Sequence, residues 1–102
     1  LLNAKLHLIG VEEVSQGLLD QALVHAREVF APAIARRAYA IVLVHNHPSG
    51  DPTPSEADIR ITRALRESAK VLDVPLLDHV IIGAPSVAYP EGWFSFKAAG
   101  YL

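Results

Sequence analysis

The stretch Ile41-Val42-Leu43-Val44-His45-Asn46-His47-Pro48-Ser49-Gly50-Asp51-Pro52-Thr53-Pro54-Ser55-Glu56-Ala57-Asp58 decides how this chain is read. Four consecutive apolar residues predict a buried strand, and that strand runs straight into His45. Residues two apart in extended backbone point the same way, so His45 and His47 converge on one point while Asn46 faces away. Pro48 stops the strand, because it has no N–H for a ladder and restrains the residue before it. The segment His47 to Pro54 holds Gly50 and three prolines, which predicts a loop. That loop leaves a strand end and returns at a helix start, so it carries Ser55 and Asp58 back towards the two histidines.

Two neutral imidazoles and one carboxylate offer a divalent ion three protein ligands and leave a fourth position for water. Such a water has its pKa lowered towards about 7, which makes hydroxide available at neutral pH. Zinc is the expected ion for a His, His, Asp set with an open position. Ser55, one helical turn before Asp58, is placed to hydrogen-bond that water or an oxyanion formed at a carbonyl. The same residues have a plainer reading. Ser55-Glu56-Ala57-Asp58 is also a helix N-cap with acids in the first turn, which needs no metal. The two readings are compatible if the cap orients the ligand. A His-x-His pair alone is a weak signal; the strand exit, the loop and the returning carboxylate together make a metal site the expectation.

Outward from this stretch, strands and helices alternate without repeats or low-complexity tracts. Val29, Phe30, Ala33, Ile34 and Arg37 recur at helical spacing between about Ala26 and Ala38, with Pro32 as an expected kink. A second helix is predicted from Ser55 to about Val71. Its apolar stripe reads Ala57, Ile61, Ala64, Leu65, Ser68, Val71 and Leu72, and its opposite face carries Arg60, Arg63, Glu67 and Lys70. Leu77 to Ile82 read as a second buried strand closed by Gly83 and Pro85. Val87 to Tyr89 and Trp93 to Phe96, separated by Pro90, Glu91 and Gly92, suggest a final hairpin. Near the start, Asn3-Ala4-Lys5 reads as a turn and Leu6 to Gly10 as a strand. A chain opening on Leu1 and Leu2, as if inside a strand, predicts further residues upstream in a longer protein.

Composition narrows the function classes. At 102 residues the chain holds one core, hence one domain over residues 1–102. The apolar content of 51 % and charged content of 20 % suit a water-soluble globular protein. No apolar run approaches the roughly 20 residues of a spanning helix, so no membrane partner is expected. The absence of cysteine excludes disulfides and thiolate metal sites and fits a cytoplasmic location. A net charge of −2 speaks against a general nucleic-acid surface. His79, preceded by Asp78, reads as a hydrogen-bonded core or supporting histidine rather than a ligand. Trp93, Phe94 and Phe96 read as packing residues.

The pattern His45-x-His47, seven residues, Ser55, two residues, Asp58 matches the JAMM (MPN) metalloprotease motif without a gap. More closely, His45 through Asp58 resembles the bacterial RadC family. Arg27-Glu28-Val29-Phe30 and Leu77-Asp78-His79-Val80-Ile81-Ile82-Gly83 agree with it in register, and the likeness runs from about Leu6 to Phe96. The resemblance implies an α/β three-layer sandwich, cytidine-deaminase-like, with a mixed sheet flanked by helices and zinc at the sheet edge. It implies His45, His47 and Asp58 as zinc ligands and Ser55 as the group that positions the water or the oxyanion. It also implies a glutamate from upstream as general base. None of Glu12, Glu13 and Glu28 stands at that position, so the base is expected before Leu1. The leading function is then zinc-dependent hydrolysis of peptide or isopeptide bonds in a peptide or protein substrate. DNA repair or processing, suggested by the family's customary name, and a non-haem iron site are the alternatives.

Overall fold

Among the residues described by the computed structural model, 1–11 and 26–102, the elements run in the order α1 (Ala26–Ala35), β1 (Ile41–Asn46), α2 (Glu56–Leu72), β2 (Leu76–Ile82) and β3 (Trp93–Ser95). The strands form one mixed sheet in the order β1-β2-β3, with β1 parallel to β2 and β3 antiparallel to β2. The fold is α/β, as the alternation of patterns predicts. Parallel neighbours cannot be joined by a tight turn. The chain therefore crosses over through α2, and this connection sets the N-terminus of α2 beside the C-terminal end of β1.

One core cluster draws on both helices and the sheet, with Val29, Phe30 and Ala33 from α1, Ile61, Leu65 and Ala69 from α2, and Ile41 and Leu76 from the strands. Ser55 caps α2 in extended backbone (φ −80°, ψ 168°). Its hydroxyl accepts from the Asp58 amide while the Asp58 carboxylate accepts from the Ser55 amide, a reciprocal capping box. The helix ends at Asp73 in the left-handed region, whose amide donates to the Ala69 carbonyl.

Five local expectations are corrected by the tertiary structure. The apolar run of β1 is not buried on both faces: Val42 and Val44 are 37 % and 55 % exposed, while Ile41 is buried and Leu43 packs against the core. The buried stripe of α2 is Asp58, Ile61, Thr62, Leu65 and Ala69. It is rotated away from the purely apolar choice, leaving Ala64 exposed and Val71 85 % exposed, because a helix face turned to a polar site carries polar side chains inward. The Arg60, Arg63, Glu67 and Lys70 face is solvated as expected. The terminal hairpin is absent, since β3 pairs with β2 and residues 87–89 form no strand. The Tyr89 carbonyl is instead occupied by the Ser86 and Gly92 amides in a turn. Near the start the expected strand is reduced to the bridges of Leu2 with Leu8 and Ala40, after a turn in which Asn3 Oδ1 accepts from the Lys5 and His7 amides. Helix α1 stops at Ala35, short of Ala38, and Arg37 adopts a left-handed φ of 54°. Pro32 lies inside α1 and leaves the Glu28 carbonyl without an i+4 donor.

Candidate metal centre

His45 occupies the fifth position of β1 and points to the same side as Ile41 and Leu43, which aims its ring along α2 rather than outward. His47 leaves the strand, but its amide still donates to the Ile82 carbonyl of β2 (2.9 Å), which holds the backbone at the sheet end. The loop then turns at Gly50 (φ +85°), where the Gly50 amide donates to the His47 carbonyl and the Gly50 carbonyl accepts from the Ala84 amide. Asp51 Oδ1 accepts from both the amide and the hydroxyl of Thr53, and these bonds hold the exposed Asp51 carboxyl below its ordinary pKa. Pro52 is fully buried beneath this turn. The path ends at the Ser55 cap, which delivers Asp58 to the two rings.

The expected ligands come together. One donor atom from each of His45, His47 and Asp58 lies within 4.8 Å of the others. His47 Nε2 is 3.1 Å from Asp58 Oδ2 and His45 Nε2 is 3.5 Å from Asp58 Oδ1, with Asp58 almost wholly buried. The protons of this cluster tell what it fits. His47 Nδ1 stands 2.8 Å from the Asp51 carbonyl, which can only accept, so Nδ1 carries a hydrogen, and Nε2 is turned to Asp58 Oδ2 at 3.1 Å. His45 Nε2 is buried and makes no hydrogen bond with any described residue. Burial pushes the Asp58 carboxyl up in pKa, but the Ser55 hydrogen bonds and the nearby His45 and His47 outweigh it and hold the group below its ordinary value. Two imidazole nitrogens and an ionised carboxylate thus face one another, a donor set that a cation between them would satisfy. The residues fit a divalent metal.

Behind these ligands lies a layer that the sequence shows only in part. His79 of β2 is fully buried, with Nε2 at 2.8 Å from His45 Nδ1 and Nδ1 at 2.6 Å from the Thr62 hydroxyl. Its ring stacks on Phe96 with centroids 4.6 Å apart and an angle of 6°. It is a supporting histidine, as its position beside Asp78 suggests. Thr62 was not singled out by sequence reasoning, although it stands four residues after Asp58 and so shares its helix face. Ser55 is exposed at the rim. Glu28 is exposed on α1 and is not a member of the cluster; Glu12 and Glu13 lie outside the described residues.

Burial depresses the pKa of His45, with His47 adding to the effect and Asp58 opposing it. Burial, helped by His45 and opposed by Asp58 and Asp78, takes His79 down to about 4 from an ordinary 6.5. Between those values the unfolded chain binds a proton at this position that the folded chain refuses, so folding stability rises with pH across the window. Thermal unfolding of metal-free protein is expected to show Tm falling steadily from pH 6.5 towards pH 4, with a shallower slope in His79→Phe. Equal slopes for the two proteins would show that His79 does not carry the effect.

A family model described as RadC-like JAB domain matches residues 1–101. A UPF0758 protein of Symbiobacterium thermophilum is 50 % identical over 102 residues, covering 100 % of this chain and 41 % of the relative. A UPF0758 protein of Alkaliphilus metalliredigens is 57 % identical over 83 residues, 81 % of this chain and 36 % of the relative. One from Geobacter sulfurreducens is 48 % identical over 103 residues, 100 % of this chain and 42 % of the relative. The chain therefore spans about two fifths of the length of these curated relatives.

Proposed function

The chain belongs to the RadC-like JAB domain family, and from that premise we propose that it is the metal-binding part of a zinc-dependent amide hydrolase acting on peptide or isopeptide bonds. The observation that carries the reading is the convergence of two imidazole nitrogens on one ionised, nearly buried carboxylate. His45, His47 and Asp58 would hold the ion. Zinc bound there would supply Lewis acidity and a water acidic enough to lose its proton near neutral pH. The protein's own part is to keep three donors fixed, to leave the rim open to a substrate carbonyl, and to set the Ser55 hydroxyl beside the position where negative charge develops. Among the described residues the donor cluster holds no carboxylate other than Asp58. A proton acceptor for the attacking water is proposed to come from a glutamate upstream in the longer relatives, and base catalysis of this kind is worth about 10² to 10⁴-fold.

The test begins with protein purified without added metal. Elemental analysis is expected to find one zinc per chain, whereas stoichiometric iron would replace the hydrolase reading with an oxygenase-type site. A full-length relative is then expected to cleave peptide and isopeptide panels, and this chain to do so far more slowly. Ser55→Ala is expected to cost about 0.5–2 kcal/mol as a lost cap and, in the full-length relative at its corresponding serine, to lower turnover beyond what unfolding explains. Normal turnover there would leave Ser55 only its capping role. Among the described residues no helix is long and apolar enough to cross a membrane.

A further inference from the structure

His45 and His47 reach the same point by different means. His47 Nδ1 is held as a donor by a backbone carbonyl, whereas His45 Nδ1 faces a ring nitrogen that can either donate or accept. The choice is made two side chains away. The Thr62 hydroxyl lies 2.7 Å from the Asp58 main-chain carbonyl, and that carbonyl can only accept, so the single hydroxyl hydrogen points at it. Towards His79 the Thr62 oxygen must therefore accept, which places the hydrogen of His79 on Nδ1. The His79 ring lies buried against Phe96, and its two nitrogens face only Thr62 Oγ1 and His45 Nδ1, with no carboxylate at either, so the hydrogen on Nδ1 serves the ring and Nε2 is left as an acceptor. His45 must donate to it from Nδ1, and its Nε2 is bare.

We propose that Thr62 and His79 are positioning residues that lock His45 in the Nδ1–H tautomer and so present its Nε2 lone pair towards the ion. The chain of hydrogen bonds starts on the main chain of one ligand, Asp58, and ends on the ring of another, His45. It therefore ties α2, β2 and β1 into one donor geometry. The value of the lock to function rests on the metal-site reading above, but the lock itself is a property of the metal-free protein.

The experiment has two readouts. Nitrogen-15 NMR of the imidazoles in metal-free protein reports the tautomer of His45 directly, and titration with Co2+ reports affinity and ligand geometry through its visible absorption. Wild-type protein is expected to show His45 protonated at Nδ1. Thr62→Val, nearly isosteric, removes the hydroxyl and is expected to give mixed tautomers for His79 and His45. His79→Phe keeps the stack on Phe96 but has no ring nitrogen. Both variants are expected to bind Co2+ about 10- to 100-fold more weakly, the usual cost of losing a partner behind a ligand. His79→Gln, whose amide oxygen can accept from His45 Nδ1, is expected to recover most of the affinity. His45 protonated at Nε2 in the wild type, or undiminished Co2+ affinity in folded Thr62→Val, would overturn the proposal. An Nδ1–H His45 in a wild-type protein that takes up no Co2+ would uphold the lock and defeat the metal reading instead.

Discussion

His47→Ala is expected to abolish stoichiometric metal while leaving the fold in place. His47 lies just beyond the end of β1, outside the core cluster, and its ring is engaged with the Asp51 carbonyl, Asp58 and the tilted His45 ring. Its removal therefore opens no core cavity, and the amide bond to Ile82 that holds the sheet end is kept. What is lost is one of three donors. A site of one imidazole and one carboxylate holds a divalent ion far less well than a three-ligand site, so the loss should exceed the roughly 10- to 100-fold cost of removing a supporting partner. Elemental analysis alongside a far-ultraviolet circular dichroism melt separates the two effects. A variant that melts like the wild type and still carries one zinc would sink the assignment. The His45 and Asp58 variants are less clean, because His45 lies in the sheet and Asp58 completes the cap of α2.

Gly83→Ala is expected to damage the same site from a residue that is not one of its donors. Gly83 follows β2, and a Cβ placed on it would collide with the Gly50 carbonyl group and the buried Pro52 ring. Neither is the free end of a flexible side chain, so the loop has to move as a unit. Overpacking of this kind costs about 1–3 kcal/mol. The displaced loop is the one that carries the Asp51 carbonyl, which accepts from His47 Nδ1, and leads to the Ser55 cap. Both stability and zinc affinity should fall together. Gly50→Ala is the instructive companion: its Cβ would meet Ala84 at ordinary contact distances of 3.5 and 4.0 Å, but its φ of +85° strains any L-residue, so it should lower stability mainly through backbone strain. Gly83→Ala with unchanged melting and unchanged zinc affinity would show that the loop does not rest on the sheet end in this way.

The donors themselves were legible because each sits at a local punctuation mark. The end of an apolar run placed His45 and His47 on one side of a strand, prolines bounded the loop, and a serine three residues before an aspartate marked a helix start whatever else it did. Those rules depend on backbone geometry over a few residues, and they hold here almost unaltered. His79 was legible only as a polar residue in an apolar strand, a position that calls for a partner without naming it.

Sequence alone therefore determined the β1–loop–α2 unit, its three candidate ligands and the α/β character of the chain. Tertiary structure alone decided which side of α2 turns inward, that Val42 and Val44 are exposed, that β3 adds to β2 rather than to residues 87–89, and that Thr62 and His79 stand behind His45. The physical reason is range. The contacts from His45 to His79 and from Thr62 to His79 join positions 34 and 17 residues apart. Hydrophobic periodicity reports only what neighbouring turns and alternate residues share, and it treats a threonine or aspartate as outward. Burying Asp58 and Thr62 is favourable here because hydrogen bonds satisfy them, Asp58 through the Ser55 amide and His47, Thr62 through the Asp58 carbonyl and His79, and the bond to His79 exists only once the crossover has closed.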